Sequence, residues 1–244
     1  MLGLGNNISV GSAPSEWTPE EISSLIHWYR YDTGLDKSTI DDVENVVTQW
    51  ADQKGSNNLV GFDADGGGSV DADEAPVWID GGGLFIEGGS DSMSLNSELQ
   101  LGKFAIYARH KWASGSTLNS ETLFEKTSGS NDWIKIQSST AGRIKVDGNR
   151  HDYSLPATIS LNTLFNYGFE RSADGTMQVY LDGSAGTQSG TGDGNQPITD
   201  LLDIGRIGQP MGNSYIYEIV ICSDALSADD RRDLNTYFNN ISGT

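Results

Sequence analysis

What most constrains the fold of this 244-residue sequence is a two-residue alternation of apolar side chains, cut again and again by Gly, Asn and Asp. Phe104, Ile106, Ala108, His110 and Trp112 fall on one face of a strand whose other face carries Tyr107, Arg109 and Lys111. Leu84 with Ile86, Ile134 with Ile136, Ile144 with Val146, Met177 with Val179 and Leu181, and Ile219 with Ile221 repeat the pattern. The turn pairs Asp147-Gly148, Asp174-Gly175 and Asp182-Gly183 lie close to these runs. Many short strands joined by such turns predict an all-β fold, an antiparallel β-sandwich of the jelly-roll type. No internal repeat is visible, which excludes a solenoid or propeller.

Two short helices are predicted at the periphery. Thr18-Pro19-Glu20-Glu21 has the form of a capping box with Pro at the first helical position, and Ile22, Leu25, Ile26 and Tyr29 follow at helical spacing. Ser227-Ala228-Asp229-Asp230 offers an N-cap hydroxyl and early acids, with Leu234, Tyr237 and Phe238 on one side; this helix is expected to cover one end of the sandwich. Residues 1–15 carry no charge and read as an extended N-terminal arm, leaving residues 16–244 as one domain.

Fifteen Lys and Arg against 34 Asp and Glu give a net charge of -19, so the field of the whole chain repels nucleic acid and anionic membrane surfaces. No apolar run is long enough to cross a membrane as a helix, and the first residues lack the pattern of a secretory signal. The single cysteine, Cys222, lies in the apolar run 219–222 and reads as a buried thiol with a structural role.

Three segments carry a resemblance. The first is Trp50-Ala51-Asp52 followed by a Gly/Asn-rich turn. The second is the hairpin from Leu164 to Gly183, closing in Tyr180-Leu181-Asp182-Gly183. The third is Ile204-Gly205, then Tyr217-Glu218-Ile219, then Leu226-Ser227 and a helix with Arg at 231. Together they resemble the laminin G-like, concanavalin A-like lectin and glucanase jelly rolls, and more loosely the versions found in structural proteins of tailed, marine bacteriophages. That resemblance implies a non-enzymatic virion protein, a head decoration or a fibre or adhesin module. It would be made and assembled in the host cytoplasm, present in several copies, and docked on other capsid or tail proteins through residues 1–15. Contact with a host-surface glycan fits the same picture. The alternative is a soluble lectin-like domain that binds carbohydrate, with or without Ca²⁺; a third reading is a degenerate glycosidase.

Candidate sites are few. Within residues 63–74, Asp63, Asp65, Asp71 and Glu74 fall at positions one, three, nine and twelve of a calcium-loop pattern, with Gly66 at six. Gly67 breaks the pattern at position five and neither flank is helical, so the segment is either a Ca²⁺ loop without helices or a solvated acidic turn. Glycosidases of this superfamily carry acids two residues apart on one strand, whereas Glu218 is followed on its face by Val220 and Cys222 and reads as a structural, strand-end acid. His27, His110 and His151 are scattered without metal spacing. Of Trp50, Trp78, Trp112 and Trp133, Trp112 is assigned to the core. Trp133, which starts its strand straight after Ser128-Gly129-Ser130-Asn131-Asp132, is the candidate for stacking on a sugar.

Overall fold

A computed structural model of the chain describes residues 16–61, 70–87, 91–114, 119–207 and 212–241; the expected arm at 1–15 lies outside them. The described residues are mostly antiparallel β-structure with one α-helix. The strands are β1 Leu25–Tyr29, β2 Leu35–Ile40, β3 Val43–Trp50, β4 Leu59–Gly61, β5 Val77–Ile79, β6 Gly83–Ile86, β7 Met93–Leu101, β8 Phe104–Trp112 and β9 Asn119–Glu125. They continue as β10 Trp133–Ser138, β11 Ala141–Val146, β12 Asn149–Ser154, β13 Leu164–Arg171, β14 Met177–Leu181, β15 Ser184–Ala185, β16 Thr187–Gln188, β17 Leu202–Ile207 and β18 Ser214–Cys222. Helix α1 spans Ala228–Asn239.

One run of the sheet pairs in the order β1, β18, β8, β13, β14. A second runs β4, β7, β17, β9, β10, β11, β12, β16. Two separate sheets were the expectation. Instead, β6, β5 and β3 carry the hydrogen bonding from β18 round to β4, so the sheet is continuous and nearly closed, barrel-like rather than a plain sandwich.

The alternation read from the sequence decides what lies inside. Phe104, Ile106, Ala108 and Trp112 of β8 join Ile134 and Ile136 of β10, Ile144 and Val146 of β11, and Ile219 and Ile221 of β18 in one buried cluster. Each Ile, Val or Phe among them contributes ~1.5–3 kcal/mol by leaving water. The hairpins Asp147-Gly148 and Asp182-Gly183 hold φ of 46° and 83°, and of 48° and 77°. Positive φ at both positions is what a two-residue turn matched to strand twist requires.

On the other face of β8 and β18, Ala105, Tyr107, Val220 and Cys222 form a second cluster with Leu226, Leu234 and Phe238. Helix α1 therefore packs on the outer face of this run and not over one end of the barrel. Its N-cap is as expected, with the Asp230 N–H donating to Ser227 Oγ at 3.0 Å. Cys222 is buried in this cluster, and burial pushes its thiol up to about 12, consistent with a structural role.

The first predicted helix is absent. Pro19–Glu21 makes a single 3-10 turn, Thr18 makes no side-chain cap, and Ile22 is already extended with ψ 113°. The chain continues as β1, paired with β18, with a register shift between Leu25 and His27. That bulge puts Leu25 and Trp28 in the outer cluster and Tyr29 in the inner one. A bulged strand buried on both faces thus imitates the three- and four-residue spacing of a helix.

Gly168 on β13 sits directly opposite Tyr107, and a Cβ there would fall 2.1 Å from the tyrosine ring. Tyr107 cannot swing aside without giving up its hydrogen bond to Glu170 at 2.5 Å. Gly168→Ala is therefore expected to cost ~1–3 kcal/mol by overpacking, read as a lower midpoint in chemical denaturation; an unchanged midpoint would refute the close packing.

Candidate functional site

The acids in the family-like motifs are held as structural groups. Asp52 is buried and accepts from His27 Nδ1 at 2.7 Å and from the Trp28 N–H at 3.0 Å. Glu218 is fully buried in the middle of β18, not at its end, and accepts from Trp28 Nε1 at 2.5 Å and the Tyr31 N–H at 3.0 Å. Burial raises the pKa of Glu218. Both carboxylates tie β1 and the chain around it to the sheet. His27 is on β1 rather than on a helix. His110 is buried, its ring stacked on Phe165 at 5.2 Å, and burial holds its imidazole near 3, so it is a neutral core member.

Of the calcium-loop candidates, Asp63 and Asp65 lie outside the described residues. Asp71 and Glu74 lie in a turn just before β5, where Asp71 C=O accepts from the N–H groups of Glu74 and Ala75 at 3.2 and 3.0 Å. With Asp41 and Asp73 they line a shallow recess. Among the described residues, no three His, Cys, Asp or Glu side chains are grouped as metal ligands.

Of the six tryptophans, Trp28 is buried in the outer cluster and the half-buried Trp17 packs edge-on against Tyr237 at 6.1 Å. Trp50, Trp78 and Trp112 are buried in the core. Trp133 is half-exposed at the start of β10, on the outer face opposite Ile134 and Ile136, and lines a cleft of roughly 810 Å³. Three pieces of chain build this cleft. Strands β10 to β12 supply Trp133, Lys145, Asn149, Arg150 and His151; the β11–β12 turn supplies Gly148; the loop after β16 supplies Thr191, Asp193, Asn195 and Gln196.

Specific contacts fix each wall. Asp132, buried, accepts from the Asp147 N–H at 2.8 Å, and the Gly148 N–H donates to Asn131 C=O at 2.9 Å, so the turn is docked on the residues preceding Trp133. Burial raises the pKa of Asp132. The loop is held from the other side: Arg150 Nη2 donates to Thr191 Oγ1 at 2.7 Å, and Thr191 and Gly194 N–H donate to Asp152 Oδ2 and His151 Nδ1, each at 3.2 Å. Burial lowers the pKa of His151, and its Nδ1 accepts that bond as the ring nitrogen without a proton. Lys135 Nζ lies 4.2 Å and Lys145 Nζ 5.8 Å from the Trp133 ring centroid.

The result is a cleft with one indole ring and a rim of amides, a hydroxyl, an imidazole, two cations and one carboxylate, the mixture that stacks on and hydrogen-bonds to a polar ring. The loop 191–196 is missed by sequence reasoning, because nothing local in Thr-Gly-Asp-Gly-Asn-Gln announces that it folds back onto β12. The cations were open to view: Lys135, Arg143, Lys145 and Arg150 stand within sixteen residues that hold one acid, Asp147.

No family model and no curated protein matches the chain. Solved structures do. Domain 4 of AbnA, a GH43 extracellular arabinanase from Geobacillus stearothermophilus determined with arabinotriose, is similar over 88% of this chain and 100% of its own, at 17% identity and a TM-score of 0.59. Trypanosoma rangeli sialidase with 2,3-difluorosialic acid is similar over 90% of this chain at 15% identity and a TM-score of 0.53. A mutant of HCR/D is similar over 88% at 12% identity and a TM-score of 0.55. The likeness is one of fold. This chain spans 34% of the sialidase and 52% of HCR/D. Its neighbours are β domains of glycosidase and lectin type. Among the described residues no helix is long and apolar enough to cross a membrane.

Proposed function

We propose that this domain binds carbohydrate in the cleft beside Trp133, and that it does so as a lectin-like module without catalysis. The observation that carries the reading is a half-exposed tryptophan in a polar cleft; Trp50, Trp78 and Trp112 are core, while Trp28 and the half-buried Trp17 pack against Tyr237 of helix α1. The similarity to domain 4 of AbnA supports it, since that domain is matched over its whole length and its structure was determined with an arabinotriose. The laminin G-like, concanavalin A-like resemblance of the motifs points the same way. Among the residues lining the cleft Asp193 is the one carboxylate, whereas a two-carboxylate glycosidase needs a pair flanking the scissile bond. The fold comparisons lend nothing to a virion structural role, and binding is the reading adopted here.

Trp133→Ala tests it. In affinity electrophoresis through gels containing neutral and acidic polysaccharides, the wild type is expected to be retarded by at least one. Removing the stacking ring should weaken that interaction ~10–100-fold, the loss of ~1.5–3 kcal/mol of aromatic contact. Thermal unfolding should hardly change, because the ring is not in the core. Equal retardation of variant and wild type would remove Trp133 from the site; no retardation by any polysaccharide would remove the function.

A further inference from the structure

The outer face of β10–β12 contradicts the charge of the rest of the molecule. The three strands carry four cations, Lys135, Arg143, Lys145 and Arg150, and one acid, Asp152, in a chain whose net charge is -19. The register sharpens the point. Lys135 is directly opposite Arg143, and Lys145 is directly opposite Arg150. Like charges directly opposite on neighbouring strands destabilise a sheet.

Asp152 answers only part of this, pairing with Arg143 Nε at 2.9 Å and Arg150 Nε at 3.2 Å. The next acid along, Glu125 opposite Trp133, is paired with Arg206 at 2.7 Å. Lys135 shows the consequence: burial, then Arg143, Arg150 and Lys145, all lower its pKa, against a smaller opposing pull from Glu125. Two of the four cations, Lys145 and Arg150, line the cleft beside Trp133. A sheet that places one opposed cation pair, Lys145 and Arg150, in the lining of a polar cleft with a second pair beside it, against the single lining carboxylate of Asp193, is arranged for a ligand that brings its own negative charge.

We propose that the saccharide bound beside Trp133 is anionic, carrying carboxylate or sulfate groups that meet Lys145 and Arg150 while a sugar ring stacks on the indole. This rests on the carbohydrate-binding reading. The overall negative field then acts as a filter, because a long polyanion is repelled everywhere except along this face, and short or sparsely charged chains are preferred over dense ones.

The test compares wild type, Trp133→Ala, Lys145→Gln with Arg150→Gln, and Lys145→Arg, each shown by thermal unfolding to be folded. Affinity electrophoresis uses four gels, containing polygalacturonate, dextran sulfate, neutral dextran and neutral arabinan, with a single-stranded oligonucleotide titrated separately. Retardation by polygalacturonate or dextran sulfate is expected. It should fall ~10–100-fold in the double charge variant, the loss of a charge-assisted hydrogen bond or two, survive in Lys145→Arg, and weaken as salt rises. Whichever acidic gel retards more identifies carboxylate or sulfate. Retardation by a neutral polysaccharide that Trp133→Ala abolishes and the charge variant leaves intact would overturn the anionic ligand while keeping the carbohydrate site. Binding of the oligonucleotide as tight as that of the acidic polysaccharide would overturn the proposal too, by showing a cation patch indifferent to sugar.

Discussion

Asp52→Ala is expected to lower the unfolding free energy by ~3–5 kcal/mol, because it strips a buried hub of its acceptor and leaves several donors unpaired. The Asp52 carboxylate has no exposed side-chain surface. Its Oδ1 accepts from the N–H groups of Trp28 and Lys54, both at 3.0 Å, and Oδ2 from His27 Nδ1 at 2.7 Å and the Asn57 N–H at 3.2 Å. One side chain thus joins β1 to the loop that follows β3. Burial alone would raise its pKa; the hydrogen bonds from His27 and from the backbone of Trp28, Gly55 and Lys54 outweigh burial and bring it from 3.8 down to about 2.

The sign of the pH dependence follows. A carboxylate with a lower pKa in the folded state stabilises above its unfolded pKa, and that contribution is lost as pH falls through the folded value. The drop corresponds to ~2 kcal/mol, present above pH about 4 and gone below about 2. Asp52→Asn, which keeps the shape and loses the charge, should therefore differ most from wild type near neutrality, and the gap should close in acid. Denaturant unfolding of the two proteins across that range measures it. A gap independent of pH would show that the charge of Asp52 contributes nothing.

Asp52 also shows why the fold was legible. The Trp50-x-Asp52 segment, Glu218 in β18 and Arg231 in α1 are the positions by which the sequence resembles laminin G-like domains, and in the structure each holds two distant segments together. Asp52 bonds β1 to a loop, Glu218 bonds β18 to β1, and Arg231 bonds α1 to β13. A polar residue with a fixed long-range partner constrains sequence more tightly than a core leucine does, since replacing it strands a buried donor or acceptor. Alternation served equally well wherever a strand has a wet face, as in β10 and β11. It failed at β1, which is buried on both faces and bulged, so the period of two is lost there. The continuous closure of the sheet was out of reach for another reason: it depends on the three-residue strands β4 and β5, too short to show a period.

The cleft was half legible. Trp133 follows the polar loop 128–132 and so reads as a surface aromatic, but its neighbours come from 145–151 and 191–196, joined by turn and loop bonds that leave no periodic trace. The net charge of -19 is an average over unlike faces. It argues against polyanions for the surface as a whole, while β10–β12 carry the opposite sign, and a ligand meets the local field first.

Glu170→Ala is the counterpart of the Asp52 experiment beneath helix α1, and should cost ~3–5 kcal/mol. The Glu170 side chain is 5% exposed on β13 and accepts from Tyr107 Oη at 2.5 Å, from Arg231 Nε at 3.1 Å and from Arg231 Nη2 at 2.9 Å. Arg231 also donates to Leu226 C=O at 2.9 Å and lies 4.2 Å from the Tyr180 ring centroid. Burial opposes the charge on Arg231, but Glu170 more than offsets it and the guanidinium is held firmly protonated. Removing Glu170 leaves a half-buried cation and a buried phenol without their acceptor, so the penalty exceeds the worth of the pair itself. The loss should be local as well as global: amides of α1 exchange faster, since Leu234 and Phe238 are its remaining buried anchors. Replacing both partners, Glu170→Met with Arg231→Met, separates the two contributions. If the stranded charge is the cause, the double variant recovers most of the stability lost by Glu170→Ala, because no uncompensated ion remains beneath the helix. A double variant as unstable as the single one would mean that the geometry of the ion pair, and not relief of an unpaired charge, holds α1 on the sheet.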